Sequence, residues 1–315
     1  MTGGLAWTGR RLLLGAGQTA AVVLLVFVLT EALPGDAAVA LAGDQPDPER
    51  IARIREAMGL DRPAAERFLE WVAGMPRGDL GTSLATGRPV TGHLAAAVGP
   101  TLILAGATLT LLVPLSLGLG MLAARREGGL TDRAVSAVTV AVHAVPEFAL
   151  GVLLAAVFAL HLGWLPATAV GTAVRGNPAV LVLPVLVLTA RPVCTLSRLV
   201  RAGMIEATAA PYVAQARRYG LSASRVRWAH ALPGALAPAG QQLARTCDWL
   251  LGGVIVVEAL FVVPGLGTVL IDALAARDVP VVQGLAVVYG LVTVLANLGA
   301  DLLARRFAPR SEVAA

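Results

Sequence analysis

The sequence predicts an all-α, polytopic membrane protein with six transmembrane helices. Of its 315 residues, 57% are hydrophobic and only 14% are charged, whereas soluble domains carry about 25% charged residues. Apolar runs of about 20 residues or more recur along the chain, and that length crosses the hydrocarbon core of a bilayer. The basic residues are all arginine and mostly flank these runs, as in membrane-protein loops. The net charge of +5 is therefore attributed to membrane topology, with lipid as a partner, and no nucleic-acid partner is expected.

Residues 1–33 predict a short N-terminus and the first transmembrane helix. Arg10 and Arg11 precede an apolar run over residues 12–33. A cleaved signal peptide is the rival interpretation, but the apolar region of a signal peptide is only about 7–15 residues long. The longer run predicts a retained helix, which the turn-forming residues 34–36 end.

Residues 34–99 form a polar segment with seven arginines and nine acidic residues. We expect this segment to be extracytoplasmic. Ile51, Ile54 and Met58 recur at helical spacing, which predicts a short amphipathic helix. Two interpretations of that helix stay open: it covers the mouth of the helix bundle, or it packs loosely on the surface.

Residues 100–304 predict a core of five further transmembrane helices, and residues 305–315 a cytoplasmic tail. Pro146 predicts a kink in the third helix. Residues 205–236 form an arginine-rich loop between the fourth and fifth helices. The predicted spans lie within or near residues 94–124, 134–160, 179–204, 238–263 and 281–303.

The distribution of arginine predicts that both termini are cytoplasmic. With that orientation, fourteen arginines fall in cytoplasmic segments, while the two short outer loops hold only Arg175 and Arg277. The seven arginines of residues 34–99 do not overturn this topology, because long translocated segments follow the positive-inside rule weakly. The expected location is the bacterial plasma membrane.

The arginine-rich loop predicts two short helices that meet at Gly220 in the cytosol. Residues 205–219 are good helix formers interrupted by Pro211. Gly220 can adopt the positive φ that ends a helix, and Ser222 can cap the next one. The exposed arginines can contact acidic groups of a partner or lipid phosphates, or they only obey the positive-inside rule.

The same loop resembles a motif of the permease subunits of bacterial ABC importers. That motif reads E-A-A, three residues, G, nine residues and I-x-L-P. Ala214 and His230 stand at its Glu and Ile positions, and the spacing from the glycine to Leu-Pro is kept. The residues that carry the resemblance are Ala214, Gln215, Ala216, Arg217, Arg218, Gly220, Leu232 and Pro233.

Four further matches extend the resemblance to the dipeptide, oligopeptide and nickel branch of these permeases. They are Arg-Gly-Asp-Leu-Gly-Thr-Ser at 77–83, Gly-Arg-Pro-Val at 87–90, Leu-Gly-Trp-Leu-Pro at 162–166, and Val-Glu-Ala-Leu-Phe at 257–261 followed by Pro-Gly-Leu-Gly at 264–267. In the family, the last match lies where the fifth helix leaves the membrane. The resemblance therefore assigns a structural role near the outer gate to Glu258, Phe261, Pro264, Gly265 and Gly267.

The resemblance implies a type I ABC importer permease that forms half of the translocation pathway for di- or oligopeptides. The alternative cargo is nickel or a metallophore. The implied partners are a second permease subunit in a heterodimer, two ATP-binding subunits and an extracytoplasmic substrate-binding protein. Residues 205–236, called the coupling loop from here on, are implied to dock on the ATP-binding subunits.

The chain carries no nucleotide-binding or catalytic motif of its own. No GxxxxGK[ST] sequence occurs, so ATP is expected to be used by the partners and no cofactor by this chain. A six-helix enzyme or receptor is the rival class, but no HExxH and no in-membrane aspartate pair occurs. A secondary transporter would show inverted repeats, and none is visible. No metal site is expected, and Cys194 and Cys247 are predicted to be free thiols.

Four ionisable residues fall at membrane depth: Glu147, Arg191, Arg245 and Asp248. Arg245 and Asp248 are three residues apart on one helix and can pair. Arg191 and Asp248 both lie roughly 15–18 Å from the cytosolic ends of their predicted helices. Such charges are costly in a bilayer and mark functional sites by default. Two interpretations stay open: a polar patch on the translocation path, or an ion pair and snorkelling arginines that only fix helix packing.

Overall fold

The computed structural model describes residues 2–32, 39, 47–57, 59–171, 174 and 176–307. In this part of the chain the regular secondary structure is helical, apart from an isolated β-bridge between Thr82 and Pro89. The helices long and apolar enough to span a membrane are Gly9–Glu31, Val90–Ala124, Pro178–Ala209 and Val279–Gly299. Two broken helix pairs raise the four spans to six if each pair counts as one span. The all-α, polytopic prediction is confirmed.

The longer helices of the described residues follow one another along the chain in this order. They are α1 (Thr2–Glu31), α2 (Pro48–Ala57), α3 (Ala64–Gly74), α4 (Val90–Ala124), α5 (Leu130–Ala144), α6 (Glu147–Leu154), α7 (Val182–Ala209), α8 (Pro211–Arg218), α9 (Leu232–Phe261), α10 (Leu266–Ala275) and α11 (Val279–Phe307). Shorter 3₁₀, α and π turns are Met75–Arg77, Ala155–His161, Pro178–Leu181, Ala223–Arg225 and Val226–Ala231.

The chain divides into two compact units. The first unit comprises Met1–Thr101 and Pro264–Leu295, and the second comprises Leu102–Val263 and Ala296–Ala315. In the first unit, α1 packs closely on α11, because a Cβ added at Gly15 would lie 2.6 Å from Val294 Cγ1. The hydrophobic core of this unit includes Leu80, Val90, Leu94, Leu266 and Leu285.

A buried carboxylate binds residues 83–85 of the first unit. Asp278 is only 3% exposed. Its Oδ2 accepts a hydrogen bond from Ser83 Oγ at 2.5 Å and one from the Ala85 N–H at 3.3 Å, and its Oδ1 accepts one from the Leu84 N–H at 3.1 Å. The partners of Asp278 lie within the Arg-Gly-Asp-Leu-Gly-Thr-Ser segment or just after it. This arrangement is called the Asp278 latch below.

Helix α7 is the centre of the second unit. In its most apolar window 67% of the residues are buried, against 17–22% for the other three continuous spans. It packs against α5, α6 and α9. Glycines allow close helix contacts: a Cβ added at Gly151 of α6 would lie 2.4 Å from Leu260 Cδ2 of α9. Cys194 is buried and Cys247 half-buried, and neither forms a disulfide.

The third predicted span is broken rather than kinked. Helix α5 ends at Ala144, and the following helical segment, Glu147–His161, departs at an angle of 102°. The residue before a proline is disfavoured in the α region, and Val145 accordingly has φ −81° and ψ 128°. Pro146 is also extended, with ψ 142°. The prediction of one kinked helix was therefore wrong, because two consecutive residues leave the helical conformation.

Other boundaries differ from the sequence-based expectation. The fifth helix was expected to start near Pro238, but the chain is already helical before Leu232: Val226–Ala231 form a π-helical segment that continues directly into α9. Helices α3 and α10 were not predicted. The predicted amphipathic helix corresponds to α2, but Met58 and the side chain of Ile54 lie outside the described residues.

Candidate functional site

Helix α8 ends in a Schellman motif at Gly220. Pro211 begins the helix at its first position. Gly220 has φ +79°, and its N–H donates to Arg217 O at 3.0 Å. The Leu221 N–H donates to Ala216 O at 3.3 Å. These two hydrogen bonds define the motif, so the predicted helix stop at Gly220 is confirmed.

The next turn begins at Ser222, as the sequence predicted. Ser222 Oγ accepts a hydrogen bond from the Arg225 N–H at 3.3 Å, which is the N-cap contact. Val213, Ala216 and Val226 are buried together, and Leu221 packs on them. The contact of Leu221 with this cluster is the hydrophobic contact that accompanies a Schellman motif. The coupling loop thus has a small hydrophobic core of its own.

The exposed side chains of the coupling loop, together called its exposed face below, include arginine and aromatic residues. Tyr219 is 77% exposed and Trp228 is 57% exposed. The exposed motif residues on this face are Ala214, Gln215, Arg217 and Arg218. Tyrosine, tryptophan and arginine are the residues enriched at protein interfaces, so this face is suited to bind a protein partner.

The end of the motif anchors the coupling loop to the helices of the second unit. Leu232 is buried in a cluster with Val200 and Met204 of α7, whereas Pro233 is exposed. A Cβ added at Gly203 of α7 would lie 2.9 Å from the Cα of Ala235 in α9. The two backbones therefore touch where the loop begins and ends.

Sequence reasoning missed an ion pair beside this anchor. Arg201 of α7 donates from Nε to Asp132 Oδ1 at 2.5 Å and from Nη2 to Oδ2 at 2.7 Å. The Gly128 N–H also donates to Asp132 Oδ2, at 2.9 Å. A planar guanidinium that binds both carboxylate oxygens gives a strong and directional contact. The only signal in the sequence was an acidic residue at the start of an apolar helix.

The structure brings Glu147 and Arg191 into electrostatic reach of each other, a pairing that was not predicted. Glu147 is the first residue of α6, and its Oε1 is buried without a hydrogen-bond partner among the described residues. The side chain lies against α9, since a Cβ added at Gly253 would be 3.3 Å from Glu147 Oε1. Arg191 of α7 is exposed. These two residues of the second unit are called the charged patch below.

For the other two membrane-depth charges, Arg245 and Asp248, no contact with each other is described. Arg245 is exposed on α9. The side chain of Asp248 lies outside the described residues. The predicted pairing of Asp248 with Arg245, and its common depth with Arg191, therefore stay predictions.

The residues assigned to the outer gate terminate α9 and begin α10. Glu258 and Phe261 are fully buried, at 0% and 1% exposure. Glu258 O accepts a hydrogen bond from the Val263 N–H at 2.9 Å, across Val262 at φ +52°. In the first unit, Gly265 is the extended N-cap of α10; Gly267 is buried and Pro264 exposed.

Two family models cover most of the chain. Residues 116–313 match the model described as binding-protein-dependent transport system inner membrane component. Residues 9–98 match the model for the N-terminal part of the same membrane component. The first match includes the coupling loop, the charged patch and the end of α9.

Curated relatives match along almost the whole length. The chain is 33% identical over 304 residues to the probable peptide ABC transporter permease protein y4tP of Sinorhizobium fredii, covering 96% of this chain and 97% of the relative. It is 35% identical over 282 residues to the glutathione transport system permease protein GsiC of Pectobacterium atrosepticum, covering 90% of each. The GsiC protein of Escherichia coli K12 is 35% identical over 292 residues, covering 92% of this chain and 94% of the relative.

A solved structure shares the fold. The crystal structure of an amino acid ABC transporter with histidines matches with a TM-score of 0.52, covering 69% of this chain and 94% of that chain at 17% sequence identity. This likeness supports the type I permease fold. The family is one of transport subunits that are not themselves enzymes. The chain therefore belongs to the multi-pass inner-membrane permease family of binding-protein-dependent ABC importers.

Proposed function

We propose that this permease forms half of the translocation pathway of a peptide importer. A second, different permease subunit supplies the other half, two ATP-binding subunits drive the cycle, and an extracytoplasmic binding protein delivers the cargo. The relatives named for peptide and glutathione transport support peptide as the cargo. Both termini lie in the cytoplasm, and residues 34–99 lie outside.

The coupling loop is the observation on which this proposal depends. The Schellman motif and the small hydrophobic core of the loop hold α8 in a defined, exposed position. The exposed face of the loop carries Arg217, Arg218 and Tyr219. No nucleotide-binding motif occurs in the chain. Work from ATP hydrolysis must therefore enter through a docking surface, and we assign that role to this face.

Reconstitution in liposomes tests the function. The complete transporter with its binding protein is expected to accumulate a labelled dipeptide when ATP is supplied on the cytoplasmic side. The permease alone is expected to accumulate none, because it has no ATPase. Uptake of a nickel chelate instead of the dipeptide would reject peptide as the cargo, and uptake by the permease alone would reject the ATP-driven mechanism.

The charged patch of Glu147 and Arg191 is proposed to contact the charged ends of the cargo. On this proposal, Arg191→Leu lowers uptake of a zwitterionic dipeptide while the transporter still assembles. Arg198→Leu is the matched control, since Arg198 is also exposed on α7. If Arg191 only packs against Asp248, the single change would impair assembly and Arg191→Leu with Asp248→Leu would restore it, because apolar replacement of an ion pair is often neutral.

A further inference from the structure

We propose that Asp132 and Arg201 are positioning residues that fasten α5 to α7, so that the coupling loop moves α5 together with α7 and α9. This inference rests on the proposed docking of ATP-binding subunits on the coupling loop. The pair of Asp132 and Arg201, called the joint below, would transmit a displacement of α8 to α5. The displacement would then be passed to Glu147, which follows α5 in the chain.

The joint is built on two turns of α7 that immediately precede the coupling loop. Two close backbone contacts lie there. A Cβ added at Gly120 of α4 would lie 2.7 Å from Ser197 O, and one added at Gly203 would lie 2.9 Å from Ala235 Cα. Neither position has room for a side chain, so α4 and α9 meet this part of α7 backbone to backbone. Arg201 lies between Ser197 and Gly203 and reaches α5 instead.

Helix α5 depends on this polar contact more than its neighbours do. Its buried residues are only Asp132 and Thr139. Leu130 is 86% exposed and Val138 is 61% exposed, whereas Val142 is half-buried and packs on a hydrophobic cluster that includes residues of α7. Helix α7, by contrast, buries fourteen residues, most of them apolar. The apolar interface of α5 is smaller than that of α7, so the buried carboxylate of Asp132 contributes a larger share of its contact with α7.

The geometry of the pair suits a joint that transmits movement. Arg201 binds both oxygens of Asp132, and the Gly128 N–H fixes one of these oxygens as well. Two parallel hydrogen bonds resist rotation, whereas a lysine makes a point contact around which the carboxylate can turn. The Gly128 N–H thereby ties the loop of residues 125–129 to the carboxylate that Arg201 of α7 also binds.

Distance measurements between spin labels test the joint directly. Ala134 in α5 and Ala223, in the turn that follows α8, are both exposed and lie outside the motif residues assigned to docking, so each is replaced by cysteine and labelled, after Cys194→Ala and Cys247→Ala. The complete transporter is measured in liposomes without nucleotide and with ATP. The parent protein is expected to give one distance peak at the same position in both states, because α5 and the coupling loop move together.

The variants Arg201→Lys and Asp132→Asn are expected to give a peak that shifts or broadens when ATP binds. Peptide transported per ATP should then fall by about two- to thirty-fold, the range of effects along coupling paths. Arg198→Lys, on the same helix, should change neither quantity. If the transporter with Asp132→Asn does not assemble, the joint is tested with Arg201→Lys alone, because lysine keeps the positive charge opposite Asp132.

Two outcomes would overturn the inference. One is an ATP-dependent distance in the parent protein, and the other is an unchanged distance and transport ratio in both variants. Either result, obtained with normal ATP-driven uptake, rejects the joint and leaves the proposed function intact. A parent transporter that shows no ATP-driven peptide uptake rejects the proposed function instead.

Discussion

The end of α8 and the Asp278 latch hold two segments of the chain by opposite means. At the end of α8, every bond of the Schellman motif and the Ser222 cap joins residues no more than five positions apart. In the latch, Asp278 binds residues that are 193–195 positions away. The first structure is encoded by its own sequence, whereas the second exists only after distant segments have packed together.

This difference determines how each region should respond to substitution. A single substitution in a local turn removes one hydrogen bond or one preferred backbone conformation, and the rest of the chain stays folded. A buried carboxylate with three donors leaves all three without a partner when it is removed. The coupling loop should therefore lose function before stability, and the Asp278 latch should lose stability first.

The largest effect is expected for Asp278→Leu. The change leaves Ser83 Oγ and the N–H groups of Leu84 and Ala85 without their acceptor in a buried site, at a cost of about 3 kcal/mol or more. The purified permease should show a clearly lower midpoint of thermal unfolding and a lower yield. Asp278→Asn keeps one acceptor oxygen, so its unfolding midpoint should lie between those of the parent protein and Asp278→Leu.

Asp61→Asn is the matched control for the latch, because Asp61 is exposed in the same unit. It should unfold within about 0.5 kcal/mol of the parent protein, as surface substitutions do. Equal unfolding midpoints for Asp278→Leu and Asp61→Asn would show that the three hydrogen bonds contribute nothing to stability.

An intermediate effect is expected for Gly220→Val. The left-handed conformation costs an L-residue about 1–2 kcal/mol, and a β-branched side chain adds to this cost. A Cβ at Gly220 meets no atom within 4 Å, so the effect comes from the backbone alone. ATP hydrolysis should continue while peptide uptake falls, measured together in liposomes.

Gly220→Asn separates conformation from the mere presence of a side chain. Asparagine tolerates the left-handed region, so this variant should keep most of its uptake. If valine and asparagine reduced uptake equally, the helix stop would not be the property that matters at this position.

The smallest effect is expected for Ser222→Ala, which removes the N-cap hydrogen bond to the Arg225 N–H at a cost of about 1 kcal/mol. Hydrogen exchange of the Arg225 amide should quicken, with little change in uptake. Ser224→Ala is the control, because Ser224 is exposed two residues further on. If the hydrogen exchange of the Arg225 amide is unchanged in Ser222→Ala, the Ser222 side chain does not stabilise this turn.

The sequence predicted best where the structure is local. Pro211, Gly220 and Ser222 each act through their own backbone, and each appears where the sequence placed it. The break at Pro146 was underestimated, because the extended conformation of Val145 adds to that of the proline. Helix α10 follows Pro264 and Gly265, whose turn chemistry ends α9 but does not reveal that a new helix begins.

The long-range contacts had no reliable signal in the sequence. Arg201 and Asp132 are 69 positions apart, and Ser83 and Asp278 are 195 apart. Each side chain is compatible with many positions when the sequence is considered alone. Glu147 was recognised as a membrane-depth charge, but its electrostatic interaction with Arg191 depends on the packing of α6 against α7, which no local pattern specifies.

The most direct test of the central claim is photo-crosslinking from the exposed face of the coupling loop. A photoreactive phenylalanine replaces Tyr219, which is 77% exposed, or Trp164, which is 70% exposed and lies in a predicted outer segment. In the assembled transporter, the probe at position 219 should crosslink to an ATP-binding subunit, and the probe at position 164 should not. Crosslinking to that subunit only from position 164, or from neither position in a complex that still takes up peptide, would contradict the account.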